Sequence, residues 1–276
     1  MTTTSFEDIQ RSPAARAVPQ TDDWSRVGVI RPEERTMTQR RLAAKRATDF
    51  VVSASLLILL LPVIILVAVA IKVDSRGPIF YRCARVGYRG QELGMVKFRK
   101  MYDGASGSPL TATEDRRFTR VGGFLAASKL DEIPQLWNVL KGEMSLVGPR
   151  PEDARFVALD DRSYAEILRV KPGITGLSQL AFSEESRILD PSDRIRDYVE
   201  RVLPQKMRMD ALYATRQSLS MDARVLAWTA VAVALRQPVA VHRETGSMGL
   251  RRRPEHRTIA RAPGRERETV TIREAT

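Results

Sequence analysis

Three features of the sequence predict an α+β fold, a mostly helical small domain with a β-hairpin, held at a membrane by a re-entrant apolar helix and by interfacial amphipathic helices. The first is the uncharged run from Phe50 to Ile71, with basic residues on both sides. The second is a pair of short strand-like stretches, Ile79-Phe80-Tyr81-Arg82 and Met95 to Arg99, around Gly87-Tyr88-Arg89-Gly90; such runs joined by a glycine-containing loop form hairpins. The third is a set of segments with apolar residues at i, i+3, i+4 and i+7, clearest at Ile133, Leu136, Trp137 and Leu140, the spacing of one helical face. The chain divides into a flexible N-terminal arm over residues 1–40, a domain over 41–235 and a basic disordered tail over 236–276.

The arm is rich in Thr, Ser, Arg, Pro and Glu without a sustained apolar period, a composition that cannot bury enough apolar surface to order itself. The apolar run begins too far into the chain, and is too long, for a secretory signal. As a straight helix it would reach about 33 Å, enough to span a bilayer. Pro62 lies in its middle, where a missing N–H and the proline ring kink a helix. Both flanks are basic, with Arg40, Arg41, Lys45 and Arg46 before and Lys72, Arg76, Arg82 and Arg85 after. The positive-inside rule places both in the cytoplasm. A helix that enters, bends at Pro62 and returns satisfies both observations; a plain span and a buried core helix are the alternatives.

A net charge of +12 over 276 residues calls for polyanionic partners: nucleic acid, acidic headgroups or phosphorylated substrates. One cysteine, Cys83, and two histidines exclude an internal disulfide and a Cys/His zinc site. Residues 103–115 read as a loop, and 155–169 as an amphipathic helix. Leu219 to Leu235 is apolar but short for a span, so it is placed along the bilayer surface or in the core.

The chemistry-bearing stretch is KLDEIPQLWNVLKGEMSLVGPRPE, residues 129–152. Pro134 is tolerated only in a first turn, which sets Asp131 and Glu132 at a helix start, while Gly142 is a natural stop. A helix start favours the charged form of a carboxylate by roughly 0.3–1 kcal/mol. The pair is thereby available as nucleophile, base or metal ligand, or simply as a cap. Arg150, between Pro149 and Pro151, sits on a stiff turn and suits a phosphate or carboxylate. Lys97 and Arg99 share one face of the second strand, with Phe98 on the other. In Lys171-Pro172-Gly173-Ile174-Thr175-Gly176 the Pro-Gly pair signals a turn whose N–H groups suit a diphosphate, and Gly176 allows close backbone approach.

The run LDEIPQLWNVLKGEMSLVGPRP, with KFRKM upstream and KPGITGLSQL downstream, closely resembles the bacterial sugar transferases, the monotopic polyprenyl-phosphate phosphoglycosyl transferases, from about Lys45 to Leu235. The resemblance implies a re-entrant anchor in the inner membrane with the catalytic domain facing the cytoplasm. It also implies transfer of a phosphosugar from a UDP-sugar to polyprenyl (undecaprenyl) phosphate, with release of UMP, Mg²⁺ as cofactor and no nucleic-acid partner. By the same likeness Asp131 is the nucleophile, forming a covalent aspartyl-phosphosugar, and Glu132 is the metal ligand, with the division between ligand and base left open. Lys97, Arg99, Lys129, Arg150 and Lys171 are expected to meet substrate. Asp210 and Asp222 fall on family positions, Asp222 as support for the metal or an arginine, or as an ion pair.

This chain departs from the family at Leu61, where a serine is frequent, and at Ala126, where an arginine is common; Lys129 replaces a usual serine and could restore one charge. An Asn-Gly-Arg stretch is replaced by Phe182-Ser183-Glu184-Glu185-Ser186 and a charged insertion reaching about Lys206, a segment that suits sugar selectivity, partner binding or a solvated helix. The competing readings are a membrane-tethered basic adaptor without catalysis, and the same fold with its activity lost.

Overall fold

The computed structural model describes residues 38–251 apart from 109, 113–114 and 158–161. The arm expected over 1–40 and the far part of the expected tail lie largely outside the described residues, as do parts of the 103–115 loop and the 155–169 helix. The mixture of helices and small sheets is the predicted α+β class.

The apolar segment is two helices, α1 (Gln39–Leu59) and α2 (Leu61–Asp74), bent by 60°. Helix α1 starts well before the uncharged run because Gln39 to Lys45 are mostly strong helix formers. The break falls at Leu60 (φ −88°, ψ 1°), which puts Pro62 in the first turn of α2, where its absent N–H removes no helical bond. Leu60 N–H still donates to the Leu56 carbonyl and Ile64 N–H to the Leu60 carbonyl, both at 2.8 Å, so main-chain bonds hold the bend where a serine hydroxyl would otherwise help. Among the described residues no single helix is long and apolar enough to cross a membrane. Around the bend Ile58, Leu59, Leu61, Ile65 and Leu66 are exposed.

The hairpin is longer than its sequence signal. Strand β1 (Phe80–Val86) pairs antiparallel with β2 (Glu92–Phe98) in the register Phe80↔Phe98, Cys83↔Met95 and Val86↔Glu92. Leu93 and Met95 on one face enter the main core, where they join Leu136 and Val139 of α4 (Gln135–Lys141) and Leu146 and Val147 of β3 (Ser145–Val147). Phe98, on the other face, packs with Val67 and Ile71 of α2 and Leu125 of α3 (Arg120–Ser128). That second cluster docks the far arm of the bent pair onto the domain.

Strand β3 runs parallel to β4 (Gly173–Thr175), Ser145 opposite Gly173 and Val147 opposite Thr175. Helices α5 (Arg162–Ile167), α6 (Leu177–Ala181), α7 (Glu185–Ile188), α8 (Arg194–Asp197) and α9 (Leu203–Arg216) follow, the last entered through a π-helical turn, Tyr198–Val202. The apolar stretch from Leu219 is α10 (Leu219–Leu235). Its first half is in the core through Met221 and Val225, while Val233 and Leu235 are exposed.

The tail is not wholly disordered as expected. Strands β5 (Val239–Val241) and β6 (Met248–Leu250) pair antiparallel. They order because Val239 is buried in the main core and Arg243 donates to the Gln205 side chain at 2.6 Å.

One buried polar clasp fastens α1 to this core. The Lys45 ammonium donates to Asp222 Oδ2 at 2.7 Å and to the Val147 carbonyl at 3.2 Å, and the single hydrogen of the Tyr213 hydroxyl is shared between Asp222 Oδ1 at 2.6 Å and the same carbonyl at 2.9 Å. One turn along α1, Asp49 accepts from the Ser145 hydroxyl and the Leu146 N–H. Replacing Asp222 by alanine strands a buried ammonium and should cost about 3–5 kcal/mol, read as a lowered denaturation midpoint in detergent. The double variant Lys45→Met, Asp222→Leu should recover most of that loss.

Candidate functional site

Asp131 and Glu132 stand on a 3-10 turn, Leu130–Glu132, between α3 and α4. Lys129 closes α3 and opens this turn in the left-handed region, at φ 61°. The sequence expectation of one helix from Asp131 onward is corrected here. Pro134 has no N–H for the Leu130 carbonyl, which Ile133 N–H takes at 3.2 Å, so the acids precede the α-helix proper. Gly142 ends α4 as expected, in left-handed geometry.

The two carboxylates face a group of cations. The Lys97 ammonium donates to Glu132 Oε1 at 2.8 Å, and Arg150 Nη2 lies 3.5 Å from the same oxygen. The Lys100 ammonium is 3.0 Å from Asp131 Oδ2, yet it is misaligned for a hydrogen bond, leaving that buried oxygen without one. Asp131 is 2% exposed and Glu132 half-buried. Burial pushes the Glu132 carboxyl upward, but Lys97 and Arg150, helped by Lys129, hold it well below the usual carboxylate range. Burial lowers Lys97 despite its carboxylate partners, while Glu132, Glu152 and Glu185 outweigh burial to raise Arg150.

Arg150 follows directly from β3. Gly148 N–H donates to the Thr175 carbonyl at 2.9 Å and Gly173 N–H to the Pro149 carbonyl at 2.8 Å. The KPGITG segment therefore braces the Arg150 turn, and its Gly173 N–H is committed to that turn and not free for a diphosphate. A Cβ at Gly176 would lie 2.3 Å from the Gly148 carbonyl oxygen, so the close approach expected there is real. Behind Arg150, Lys206 Nζ donates to Glu152 Oε1 at 2.8 Å, to Glu185 Oε2 at 3.0 Å and to the Tyr198 hydroxyl at 2.8 Å. Asp210 is buried beside Ser178 and the Arg150 main chain, with Oδ1 lacking a hydrogen bond; burial pushes its carboxyl up to about 7.

Of the residues expected to meet substrate, Lys97, Lys129 and Arg150 gather around Asp131 and Glu132. Arg99 does not. Strand β2 ends at Phe98, and the Arg99 guanidinium turns to the Ser75 carbonyl at 2.8 Å, the Ser75 hydroxyl and the Arg76 carbonyl, closing the end of α2. Lys171 lies near Arg46, Lys45 and Asp49 at the far end of α4. Asp222 pairs with Lys45 and supports Arg150 only through Val147. Sequence reasoning missed Lys100, Glu152 and Lys206. The i, i+4 spacing of Lys206 and Asp210 on α9 was a usable signal for Lys206, whereas Lys100 lies past the strand end, where alternation stops. The acid pair offers hard oxygen donors, and among the described residues no group of three or more His, Cys, Asp or Glu is placed to enclose a metal.

Residues 40–236 match the family described as "Bacterial sugar transferase". The chain is 40% identical over 157 residues to "Undecaprenyl-phosphate glucose phosphotransferase" of Komagataeibacter xylinus, covering 54% of this chain and 30% of that protein. It is 38% identical over 199 residues to "UDP-glucose:undecaprenyl-phosphate glucose-1-phosphate transferase" of Xanthomonas campestris pv. campestris, covering 70% and 39%. To "Exopolysaccharide production protein PSS" of Rhizobium leguminosarum bv. phaseoli it is 35% identical over 204 residues, covering 69% and 94%. The match thus spans about a third of the first two relatives and nearly all of the third.

Asp210 makes stability depend on pH. Its folded-state carboxyl keeps a proton up to about 7, whereas the unfolded one loses it near 4. The native state therefore loses stability as pH rises from 4 to 7, by an amount of order 4 kcal/mol. Asp210→Asn should remove this slope, so that its stability relative to the parent rises between pH 4 and 8 in denaturant titrations.

Proposed function

Because the chain belongs to the bacterial sugar transferase family, we propose that it transfers a phosphosugar from a UDP-sugar to polyprenyl phosphate, releasing UMP and beginning a polysaccharide or glycoconjugate. The observation that carries this reading is the cluster of Lys97, Lys100, Lys129 and Arg150 around Asp131 and Glu132. Four cations to two carboxylates leave an excess suited to a donor diphosphate and a lipid phosphate, which otherwise repel each other. Relatives are named for glucose and, in one case, N-acetylgalactosamine, so UDP-glucose is the first donor to test.

In this mechanism an Asp131 oxygen attacks the β-phosphorus, the bond to the bridging oxygen breaks, and the electron pair leaves with UMP. A lipid phosphate oxygen then attacks the same phosphorus and frees Asp131. Lys97 holds Glu132 in place, and Arg150, on its double-proline turn, orients phosphate oxygens. Mg²⁺ fits the acid pair, since it is commonly bound by one or two carboxylates plus substrate phosphates while keeping waters; Glu132 with Asp131 would hold it, and it would supply charge neutralisation to the phosphates.

The site belongs at headgroup depth. The apolar parts of α1 and α2, each about 15 Å long, would reach roughly 8 Å into the bilayer if inserted as a symmetric pair with the observed 60° bend. That bend alone is compatible with a broken span. Favouring re-entry, both ends are tied to the same domain, Lys45 to Asp222 at one end, and Asp74 to the Val121 N–H at the other, where Val67 and Ile71 pack against Phe98 and Leu125. The basic flanks support a position on the cytoplasmic face of the inner membrane.

Supplied with UDP-glucose, Mg²⁺ and undecaprenyl phosphate, the purified protein should release UMP, and Asp131→Asn should abolish both release and trapping of labelled phosphosugar. An active Asn variant removes the nucleophile assignment, and vesicle binding without UMP release on any UDP-sugar favours the adaptor. With Cys83 replaced by alanine, cysteines placed at Thr38 and Arg76 should both react with an impermeant thiol reagent only after the inner membrane is opened; labelling on opposite sides would mean a span.

A further inference from the structure

The Lys100 ammonium stands 3.0 Å from the buried Oδ2 of Asp131, and beyond its share in the cationic cluster the reaction steps above give Lys100 no role. Its main chain is fixed. The Lys100 carbonyl accepts from Thr119 N–H at 3.1 Å, and a Cβ at Gly122 would lie 1.8 Å from that carbonyl oxygen. Only glycine permits α3 to approach so closely. The side chain is held far less. It is 26% exposed against 2% for the Asp131 side chain, its ammonium stands 3.0 Å from Asp131 Oδ2 without hydrogen-bond alignment, and its other close neighbour is the Phe118 ring, 5.9 Å to the centroid. A fixed base therefore carries a head that is electrostatically paired, poorly bonded and reachable from solvent. Lys97 differs, being hydrogen-bonded to Glu132 and more enclosed.

We propose that Lys100 is a catalytic cation that follows the negative charge during phosphosugar capture, pairing with the Asp131 carboxylate before attack and with the phosphoryl oxygens during it. The assignment rests on the reading of Asp131 as nucleophile. As the Asp131–phosphorus bond forms, the carboxylate gives up its charge, and the bond to the bridging oxygen breaks with its electron pair leaving on UMP. Lys100 transfers no proton. Its ammonium stays with the aspartate oxygen while the donor binds and exchanges it for phosphate oxygens a few ångströms away only as the new bond forms, so donor binding gains little from it. The gain comes where charge develops in a partly dry site, the setting in which one lost donor typically slows turnover by about 10²–10³-fold. Lys100 should therefore act on kcat and leave the KM for donor nearly unchanged.

The test is steady-state UMP release by the full-length detergent-solubilised protein with UDP-glucose, or whichever UDP-sugar the parent accepts, together with the UMP burst in the absence of acceptor. Lys100→Met should lower kcat and burst rate by about 100-fold with donor KM within about threefold, and Lys100→Arg should recover a tenfold part of the loss. Should the Met variant melt early, Lys100→Gln serves in its place, judged at equal folded fraction. Turnover within twofold of the parent, a loss residing wholly in KM, or no recovery with arginine would overturn the assignment. A parent that releases no UMP from any UDP-sugar would instead sink the transferase reading, so the two failures are distinguishable.

Discussion

The buried pairing of Lys45 with Asp222 is the contact on which the remaining geometry leans. Taking an ammonium and a carboxylate out of water is costly, and the pair holds only because its remaining hydrogen-bonding capacity is also used, by Val147 and Tyr213. An apolar contact of equal area could grip α1 as firmly, but it would not fix the helix's rotation. Asp49, one turn further along, adds the second point that a rotation needs, through Ser145 and Leu146. The acceptor shared by Lys45 and Tyr213 is the last residue of β3, and the next three residues are Gly148, Pro149 and Arg150. The rotation of α1 and the aim of the guanidinium are thus set from one frame.

Around the acid pair, charge is arranged in layers. Arg150 has Glu132 on one side and Glu152 and Glu185 on the other, and Lys206 neutralises the rear pair. The rear network belongs to the charged segment from Glu185 to Lys206. Its bonds to Glu152 put that segment in electrostatic contact with Arg150 while leaving Asp131 untouched. Change in that segment can alter how firmly Arg150 is held without altering the chemistry in front of it.

What could be read from the sequence follows the range of the forces involved. The bend near Pro62, the hairpin, the stop at Gly142 and the bounds of α10 depend on neighbours a few residues away, and each is where local chemistry puts it. The grouping of Asp131, Glu132, Lys97 and Arg150 was legible through a motif, not through physics applied to the bare residues. Long basic side chains were the weak point. Lys97 and Arg99 share strand parity, yet the strand ends between them and Arg99 swings to the end of α2. Asp222 took a partner on α1, Lys171 came to lie beside Arg46 and Asp49 there, and Lys100 gave no periodic signal at all. The ordering of Val239 depends on a core surface that exists only once the whole domain has assembled.

The clasp has a consequence for how the chain is made. Lys45 and Asp222 are separated by 177 positions, and Asp49 and Ser145 by 96. At roughly 5–20 residues per second, α1 leaves the ribosome many seconds before its partners exist, with a lysine and an aspartate on a helix whose far end is wholly apolar. During that interval the two charges, 4.0 Å apart in the finished fold, have only water and their neighbours on α1, Arg46 among them. The polar end of the helix therefore waits, solvated, until the last third of the polypeptide arrives to receive it.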